Sequence, residues 1–286
     1  MIVDNCIMLK QDLQYIADIL LLNGNLTECS GIVHGKMGIA VFFFHYAQYT
    51  DNVIFADYAL DLIGEIQSQL HINSRADYEK GIAGIGVGID YLIRKDFINA
   101  EDDIFEDLDQ RMYRAVMYDP WQDFSLYGGL TGYGKYWISR LHQQPLSVQA
   151  QQCLMYITEW IEEKLPDISI EEQTDVYCFM HDLHEISGFS VPVGLLEQCR
   201  RQLAYKSRSF YRLEHSAIGN IIRMYQCKRY FNENLHVETD KALKQIPDLY
   251  KEKPPVDMGL LCGYAGKGLL QLTALGKADY SWMSLL

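Results

Sequence analysis

The segment HGKMGIAVF at residues 34–42 decides the fold, because its pattern returns along the chain at an almost constant distance. Clear copies follow at residues 80–89 (KGIAGIGVGI), 128–137 (GGLTGYGKYW) and 262–272 (CGYAGKGLLQL), and a weaker copy lies at residues 214–222 (EHSAIGNII). Each clear copy contains Gly-x-x-Gly followed by an apolar run. A regular recurrence of this kind is typical of repeat architectures.

The second glycine of each copy gives the period. Gly84 lies 46 residues after Gly38, Gly132 lies 48 residues after Gly84, and Gly266 lies 47 residues after Gly219. The gap between the third copy and the weak copy has room for two periods. The sequence therefore predicts a sixth, degenerate copy near residues 175–180, and a helix around residues 176–185 even though that stretch lacks glycine.

The apolar pattern predicts two kinds of helix. Runs such as residues 39–44 and 82–93 are too continuous for a surface helix, so each copy should begin an inner helix that is buried on all sides. The segments between the copies carry apolar residues at helical spacing on one face only, as expected of outer helices. Their predicted buried stripes are Leu9, Leu13, Ile16 and Leu20; Phe55, Ala59, Leu62, Ile66 and Leu70; Ile104, Leu108, Met112 and Ala115; and Leu154, Ile157, Ile161 and Leu165.

Six outer helices alternating with six inner ones predict an all-α fold, an (α/α)6 barrel or α/α toroid that forms one domain over residues 1–286. Each inner helix can be buried only against its neighbours, which favours a closed ring over an open superhelical stack.

The glycines mark where a functional site is expected. They let the chain turn sharply before each inner helix, and helix N-termini gathered at one end of a ring favour anions and thiolates. The alternative is that the glycines serve close packing alone. The predicted inner-helix starts are Gly35, Gly38, Gly81, Gly84, Gly129, Gly132, Gly219, Gly263 and Gly266.

Composition limits the classes of partner. The chain has 38 acidic and 25 basic residues and a net charge of −13, which argues against nucleic acid and allows a neutral or basic peptide. Acidic groups such as residues 101–103 and 171–172 are expected on the solvated faces of outer helices. The first residues lack a basic segment, and no apolar stretch reaches membrane-spanning length, so we expect a cytoplasmic protein. Seven cysteines are expected to be reduced, most of them in the core.

Two stretches carry a resemblance to a known family. Residues 30–50 (SGIVHGKMGIAVFFFHYAQYT) and 261–272 (LCGYAGKGLLQL), together with the copies between them, resemble the lanthionine synthetase C-like (LanC-like) proteins. The resemblance covers essentially the whole chain. It implies an α/α toroid and, as in the best-known members, zinc-dependent cyclisation of dehydrated peptides. It further implies a peptide substrate or precursor peptide and leaves open a partner modification enzyme.

The family's zinc motif is only partly retained. Where the family has Cys-His-Gly-x-x-Gly, this chain has Glu214, His215 and Ser216, so His215 alone matches a family ligand. Cys178 lies in the repeat where the family has its other cysteine, in a copy without glycine or tryptophan, and is a candidate second ligand.

A zinc site could still be rebuilt from other residues. A rebuilt site would combine Cys178 and His181, which are three residues apart on one helix, with His215 and Cys262, an S2N2 set that tetrahedral zinc accepts. Alternatively, Cys178 belongs to the core, His181 bonds a neighbouring helix and Cys262 only precedes a packing glycine. Glu214 is a candidate catalytic or ligating carboxylate.

His34, next to Gly35, is a candidate base facing the central cavity, or else a residue that caps a helix or pairs with a neighbour. His45 is expected to be buried. Trp121, Asp123 and Tyr127 could line a cavity, and Asp123 could equally cap a helix.

Three functions are compatible with these residues. The first is a zinc-dependent thioether-forming cyclase, and the second is a metal-free LanC-like toroid that holds a peptide without catalysis. The third is a carbohydrate-active (α/α)6 enzyme, which would need paired carboxylates; Glu79 and Glu214 are the candidate pair.

Overall fold

The protein is described by a computed structural model, in which ten α-helices can be followed. The described residues are 2–71, 73–99, 105–120, 123–186, 189, 193–205, 221–222, 225–226, 229–230, 257–261 and 263–286. They contain α1 (Ile2–Asn23), α2 (Lys36–Thr50), α3 (Val53–Gln69), α4 (Ile82–Arg94), α5 (Glu106–Met117), α6 (Leu130–Gln143), α7 (Val148–Lys164), α8 (Ile170–His184), α9 (Val193–Tyr205), α10 (Tyr264–Ala274) and a 3-10 helix (Tyr280–Leu285). No strand occurs among these residues. The chain divides into two compact units, Met1–His71 with Leu213–Leu286, and Ile72–Arg212.

In the first unit, the inner helix α2 packs against α3 and α10, and α10 also packs against α1. Every residue of α2 from Lys36 to Ala47 is buried, as its continuous apolar run predicts. The first and last copies of the repeat are therefore neighbours. An open superhelical stack separates its first and last repeats, so these contacts contradict that alternative.

In the second unit, the inner helices α4, α6 and α8 pack side by side in that order. The outer helix α5 packs on α4, α6 and α7, while α7 packs on α6 and α9 packs on α8. The degenerate copy is thus a helix that packs against the preceding inner helix, as predicted. It begins at Ile170, earlier than its sequence pattern indicated.

The outer stripes are buried at most of the predicted positions. The buried members are Leu13, Ile16, Leu20, Ala59, Leu62, Ile66, Leu108, Met112, Ala115, Leu154, Ile157, Ile161 and Leu165. Ile104 and the expected sixth outer helix lie outside the described residues. Of the expected fifth inner helix, only residues 221–222, 225–226 and 229–230 are described, and these are helical, so the six-fold count stays a prediction.

Buried cations connect inner helices to outer ones. Lys267 on α10 lies 2.8 Å from Asp12 on α1, and Arg140 on α6 lies 2.9 Å from Asp109 on α5. Lys36 on α2 pairs in the same way with a carboxylate of α3. A buried charge is costly unless it is paired, so these bonds fix how each inner helix is rotated against its outer partner.

Candidate functional site

The loop before each inner helix closes in the same way in all four clear copies. The amide of the first helical residue donates a hydrogen bond to the carbonyl oxygen seven residues earlier. We name the loops by their copy: loop 1 (residues 29–35), loop 2 (75–81), loop 3 (123–129) and loop 6 (257–263, of which Cys262 is not described). The bonds are Lys36 to Cys29 at 2.9 Å, Ile82 to Arg75 at 2.9 Å, Leu130 to Asp123 at 3.0 Å and Tyr264 to Asp257 at 3.0 Å.

Close approach of the chain explains the glycines. A Cβ atom at Gly35 or Gly81 would overlap a carbonyl oxygen near the start of the same loop, and one at Gly132 would overlap the carbonyl oxygen of Leu126. The first glycine of each described pair is extended, with φ between −102° and −125°. A left-handed conformation is therefore not the reason for glycine here, and the close-packing alternative accounts for the motif.

The glycines at the two ends of the chain lie together. A Cβ at Gly38 would lie 2.9 Å from the Leu260 side chain, and one at Gly266 would overlap the Leu260 carbonyl oxygen. Gly219 lies outside the described residues, so the gathering of every copy at one end stays a prediction.

Neighbouring loops are joined by a second repeated bond pattern. In loop 2, the amides of Tyr78 and Glu79 both donate to the carbonyl oxygen of Tyr127 in loop 3, at 3.0 and 3.1 Å. In loop 6, the amides of Leu260 and Leu261 both donate to the carbonyl oxygen of Val33 in loop 1, at 2.8 and 3.3 Å. We call these contacts junction 2–3 and junction 6–1. The last copy therefore binds the first by the bonds that join two consecutive copies.

At the degenerate fourth copy, a carboxylate takes the place of the backbone carbonyl that accepts the equivalent loop amide at the other two junctions, and a second carboxylate accepts a further amide of loop 3. The Leu126 amide donates to Asp175 at 2.8 Å, and the Phe124 amide donates to Glu172 at 2.8 Å. Glu172 also completes a capping box with Ser169 at the start of α8. The expectation that residues 171–172 belong to an outer helix is thus wrong. Burial raises the pKa of Asp175 to about 6.

A histidine and a carboxylate face each other across junction 6–1. Nδ1 of His34 lies 3.1 Å from Oδ2 of Asp257, and the two side chains are 32% and 33% exposed. The other carboxylate oxygen of Asp257 accepts the amide of Gly259 at 2.8 Å. A Cβ atom at Gly259 would overlap the backbone of Val33 and His34, so glycine is required for this approach. His34 thus pairs with a neighbouring loop, one of the two roles open to it.

The other candidate histidine, His181, lies next to two carboxylates. His181, Asp182 and Glu185 offer ligand atoms that lie within 4.8 Å of one another, and Nδ1 of His181 is 3.9 Å from Glu185. Cys178 is not a member of this group. It is half-buried and lies within α8 rather than at a glycine turn.

The predicted S2N2 zinc set is not assembled by the described residues alone. Two of its members, His215 and Cys262, lie outside them, as does Glu214. The donors that the structure does bring together are one imidazole and two carboxylates, which do not match a thiolate-rich zinc site.

Of the remaining candidates, Trp121 lies outside the described residues, and the others have structural surroundings. Asp123 accepts bonds from the amide and hydroxyl of Ser125, at 2.9 and 2.6 Å, and therefore stabilises its own loop. His45 is buried in α2, as predicted. Burial raises the pKa of the Cys153 thiol to about 12 and that of Cys199 to about 11, as expected of core cysteines.

The carboxylate of Glu79 lies 3.5 Å from the ammonium group of Lys80. Its candidate partner in a carbohydrate enzyme, Glu214, lies outside the described residues. Among the described helices, none is both long and apolar enough to cross a membrane.

Comparisons with known proteins give a fold and no family. No family model matches the chain, and no curated protein matches it in sequence. Among solved structures, nisin cyclase matches 96% of this chain over 97% of its own length, with a TM-score of 0.54 and 14% sequence identity. Identity this low shows the fold alone. The chain therefore has the all-α, α/α toroid fold that its repeats predict, and it shares that fold with nisin cyclase.

Proposed function

We propose that this chain is a LanC-like protein that acts on a ribosomally made peptide during its modification, by closing a thioether between a cysteine and a dehydrated residue. The observation that carries the proposal is the fold shared with nisin cyclase over nearly the full length of both chains. The repeats and loop junctions account for that fold in this sequence. The net charge of −13 favours a neutral or basic peptide.

Thioether closure is an isomerisation. The cysteine thiol loses its proton, its sulfur adds to the β-carbon of a dehydroalanine, and the α-carbon takes up a proton. No oxidant or reductant is needed. The protein must hold the peptide so that sulfur and β-carbon meet, and it must supply a group that moves the proton.

The proposal does not depend on zinc. His215 with Cys178, His181 or Cys262 stays the predicted ligand set, and a bound zinc would lower the pKa of the peptide thiol. The described donors do not by themselves form that set, so we derive no step through a metal.

A second candidate is a toroid that holds a peptide without reacting with it. The sequence favours it at one place, where Glu214 and Ser216 replace the cysteine and glycine that flank His215 in the family. We further propose that the protein works in the cytoplasm, with a partner dehydratase that makes the dehydrated residue of the peptide.

The test uses the full chain and a synthetic lysine-rich peptide with one cysteine and one dehydroalanine. Free thiol is counted by alkylation and mass spectrometry. We expect the peptide to lose its alkylatable thiol at unchanged mass, and to lose it faster than without protein. A matched peptide with alanine in place of dehydroalanine should bind and keep its thiol. Binding of the reactive peptide without thiol loss would contradict the cyclase and support the peptide-holding candidate.

Metal content is a separate measurement. Protein purified without chelator should contain zinc if the predicted ligands are used, and the variant His215→Ala should release it. Wild-type protein without zinc would refute the zinc-dependent form of the proposal, and thiol loss would then have to occur without metal.

A further inference from the structure

A cleft in the second unit lies where loop 3 meets the end of α7 and the start of α8. It encloses about 350 Å³, and its lining residues are Phe124, Trp160, Lys164, Asp167, Ile168 and Glu172. Phe124 and Ile168 are buried and form its apolar floor. A volume of this size is at the lower end of the range of ligand pockets, so the cleft has room for a side chain rather than for a large ligand.

The aromatic wall of the cleft is held in place by two other rings. The ring centre of Trp160 lies 6.2 Å from that of Phe124 and 5.8 Å from that of Tyr156, and both pairs meet edge to face. These contacts fix the orientation of the indole. The Trp160 side chain is nevertheless only partly buried. A rigid, partly exposed indole is a surface on which a cation can lie, because the face of the ring is electron-rich.

The surroundings of the cleft are strongly acidic. Residues 159–172 include six carboxylates and one lysine, and the ammonium group of that lysine, Lys164, lies 2.6 Å from Glu163. Glu172 accepts the amide of Phe124 and caps α8. Asp167 is exposed, and among the described residues its carboxylate forms no ion pair and accepts no hydrogen bond. Asp167 is therefore the carboxylate of the cleft that can receive a cation from outside.

We propose that this cleft binds an arginine side chain from a basic segment of a peptide. The guanidinium group lies on the indole of Trp160 and donates to the carboxylate of Asp167, while the aliphatic part of the side chain packs on Phe124. Arginine fits better than lysine, because its planar group stacks on an aromatic ring and can bond a carboxylate through two N–H groups. The inference goes beyond the proposed function, since a toroid that holds a peptide without reacting with it would use the same cleft.

The first arm of the test measures binding to the full chain by fluorescence anisotropy. The probe is a short fluorescein-labelled peptide with two arginines, and its matched control has citrulline at both places, which keeps the shape and removes the charge. We expect the arginine peptide to bind at least about 10-fold more tightly than the citrulline peptide. Equal affinity for the two peptides, or no binding of either, would overturn the proposal.

The second arm uses variants of the cleft. Asp167→Asn and Trp160→Leu should each weaken binding of the arginine peptide about 10-fold. The matched control is Glu162→Gln, which removes the same charge from an exposed position of α7 that does not line the cleft, and it should stay within about twofold of wild type. An equal loss in Glu162→Gln would show that net charge alone attracts the peptide. Thermal unfolding checks that the variants are folded; if Trp160→Leu is not, the exposed Asp167 decides the test.

The third arm locates the bound peptide. In protein labelled with ¹⁵N-tryptophan, the indole signal of Trp160 should shift when the arginine peptide is added, while that of Trp137, which is buried in α6, should not. A Trp160 signal that stays in place while the peptide binds would put the peptide elsewhere and overturn the proposal.

The thiol assay separates this inference from the proposed function. Protein that binds the arginine peptide and leaves the thiol of the reactive peptide intact refutes the cyclase and keeps the cleft. Thiol loss without any binding of the arginine peptide refutes the cleft alone.

Discussion

Junction 6–1 and junction 2–3 have the same backbone hydrogen bonds but different side chains at equivalent positions. In each, two consecutive amides of one loop donate to a single carbonyl oxygen of the next loop. Only junction 6–1 places an imidazole against a carboxylate, whereas junction 2–3 has Arg75 and Gly128 at the same places. The comparison shows that the loop backbone forms with either set of side chains. The imidazole and the carboxylate are therefore an addition at a few positions of one junction.

Substitution of the first glycine of a Gly-x-x-Gly pair should have the largest effect on stability, and the effect should be equal in loop 2 and loop 6. We expect Gly81→Ala and Gly263→Ala each to lower the free energy of unfolding by about 3 kcal/mol, because the new Cβ overlaps loop atoms that cannot move away. Urea unfolding measures the change. The control is Gly64→Ala: Gly64 is exposed on α3 with open space around it, so alanine should stabilise by about 0.5–1 kcal/mol. Tolerance of alanine in one loop but not the other would contradict a shared backbone.

A second substitution should damage junction 6–1 alone. Gly259→Ala should lower the free energy of unfolding by about 2 kcal/mol, because its Cβ separates loop 6 from the backbone of Val33 and His34. The ¹⁵N signals of His34 should shift, while the amides of Tyr78 and Glu79 in junction 2–3 stay protected from hydrogen exchange. Loss of protection at both junctions would show that the two are not independent.

In the contact of loop 3 with α8, a carboxylate accepts a loop amide that a backbone carbonyl accepts at the other junctions. Substituting this carboxylate tests what its charge costs. The raised pKa of Asp175, about 6 against an ordinary 3.8, means that the folded state binds its proton more tightly than the unfolded state. This group therefore lowers stability as pH rises from about 4 to about 6. Asp175→Asn keeps an oxygen for the Leu126 amide without the charge.

The unfolding free energy of the variant should lack that decline, which for a shift of about two pKa units amounts to about 3 kcal/mol between pH 4 and pH 7, measured by urea unfolding across pH. Parallel pH profiles of the two proteins would show that Asp175 does not titrate in this way.

The smallest effect on stability should come from building the pair at junction 2–3. Gly128 has room for a Cβ, whose nearest neighbours would be 3.6 Å away, and the Arg75 side chain is 71% exposed. The double variant Arg75→Asp/Gly128→His should therefore change the free energy of unfolding by less than about 1 kcal/mol. The introduced imidazole should show the Nδ1-protonated tautomer by ¹⁵N NMR. A ring with the ordinary Nε2 preference would mean that the junction backbone does not position the pair.

Much of the scaffold could be predicted from local pattern. The spacing of Gly38, Gly84 and Gly132 gave the repeat, and the apolar runs after them gave inner helices that are indeed buried. These signals are local because each glycine is required by a carbonyl oxygen of its own loop. The start of α8 was missed although Ser169 and Glu172 form a capping box that the sequence displays three residues apart.

The site was less predictable, because it joins distant parts of the chain. His34 was a candidate from its place beside Gly35, but Asp257 is 223 residues away and meets it only because the last loop binds the first. One signal could have found it: Asp257 precedes Gly263 by the same six residues that separate Asp123 from Gly129. The predicted ligands His215 and Cys262 lie outside the described residues, so the zinc hypothesis still depends on measurement.

The central claim is that the reacting part of a peptide binds at junction 6–1 and not at junction 2–3, because only junction 6–1 adds an imidazole and a carboxylate to the shared backbone. Hydrogen–deuterium exchange tests it on the full chain, with and without a lysine-rich dehydroalanine peptide whose cysteine is replaced by serine, so that it binds without reacting. We predict added protection in residues 29–38 and 257–266, and none in residues 75–84. Loop 3 is left out of the comparison, because Phe124 lines the cleft proposed for a basic segment. Protection confined to residues 75–84, or equal in residues 29–38 and 75–84, would contradict the account.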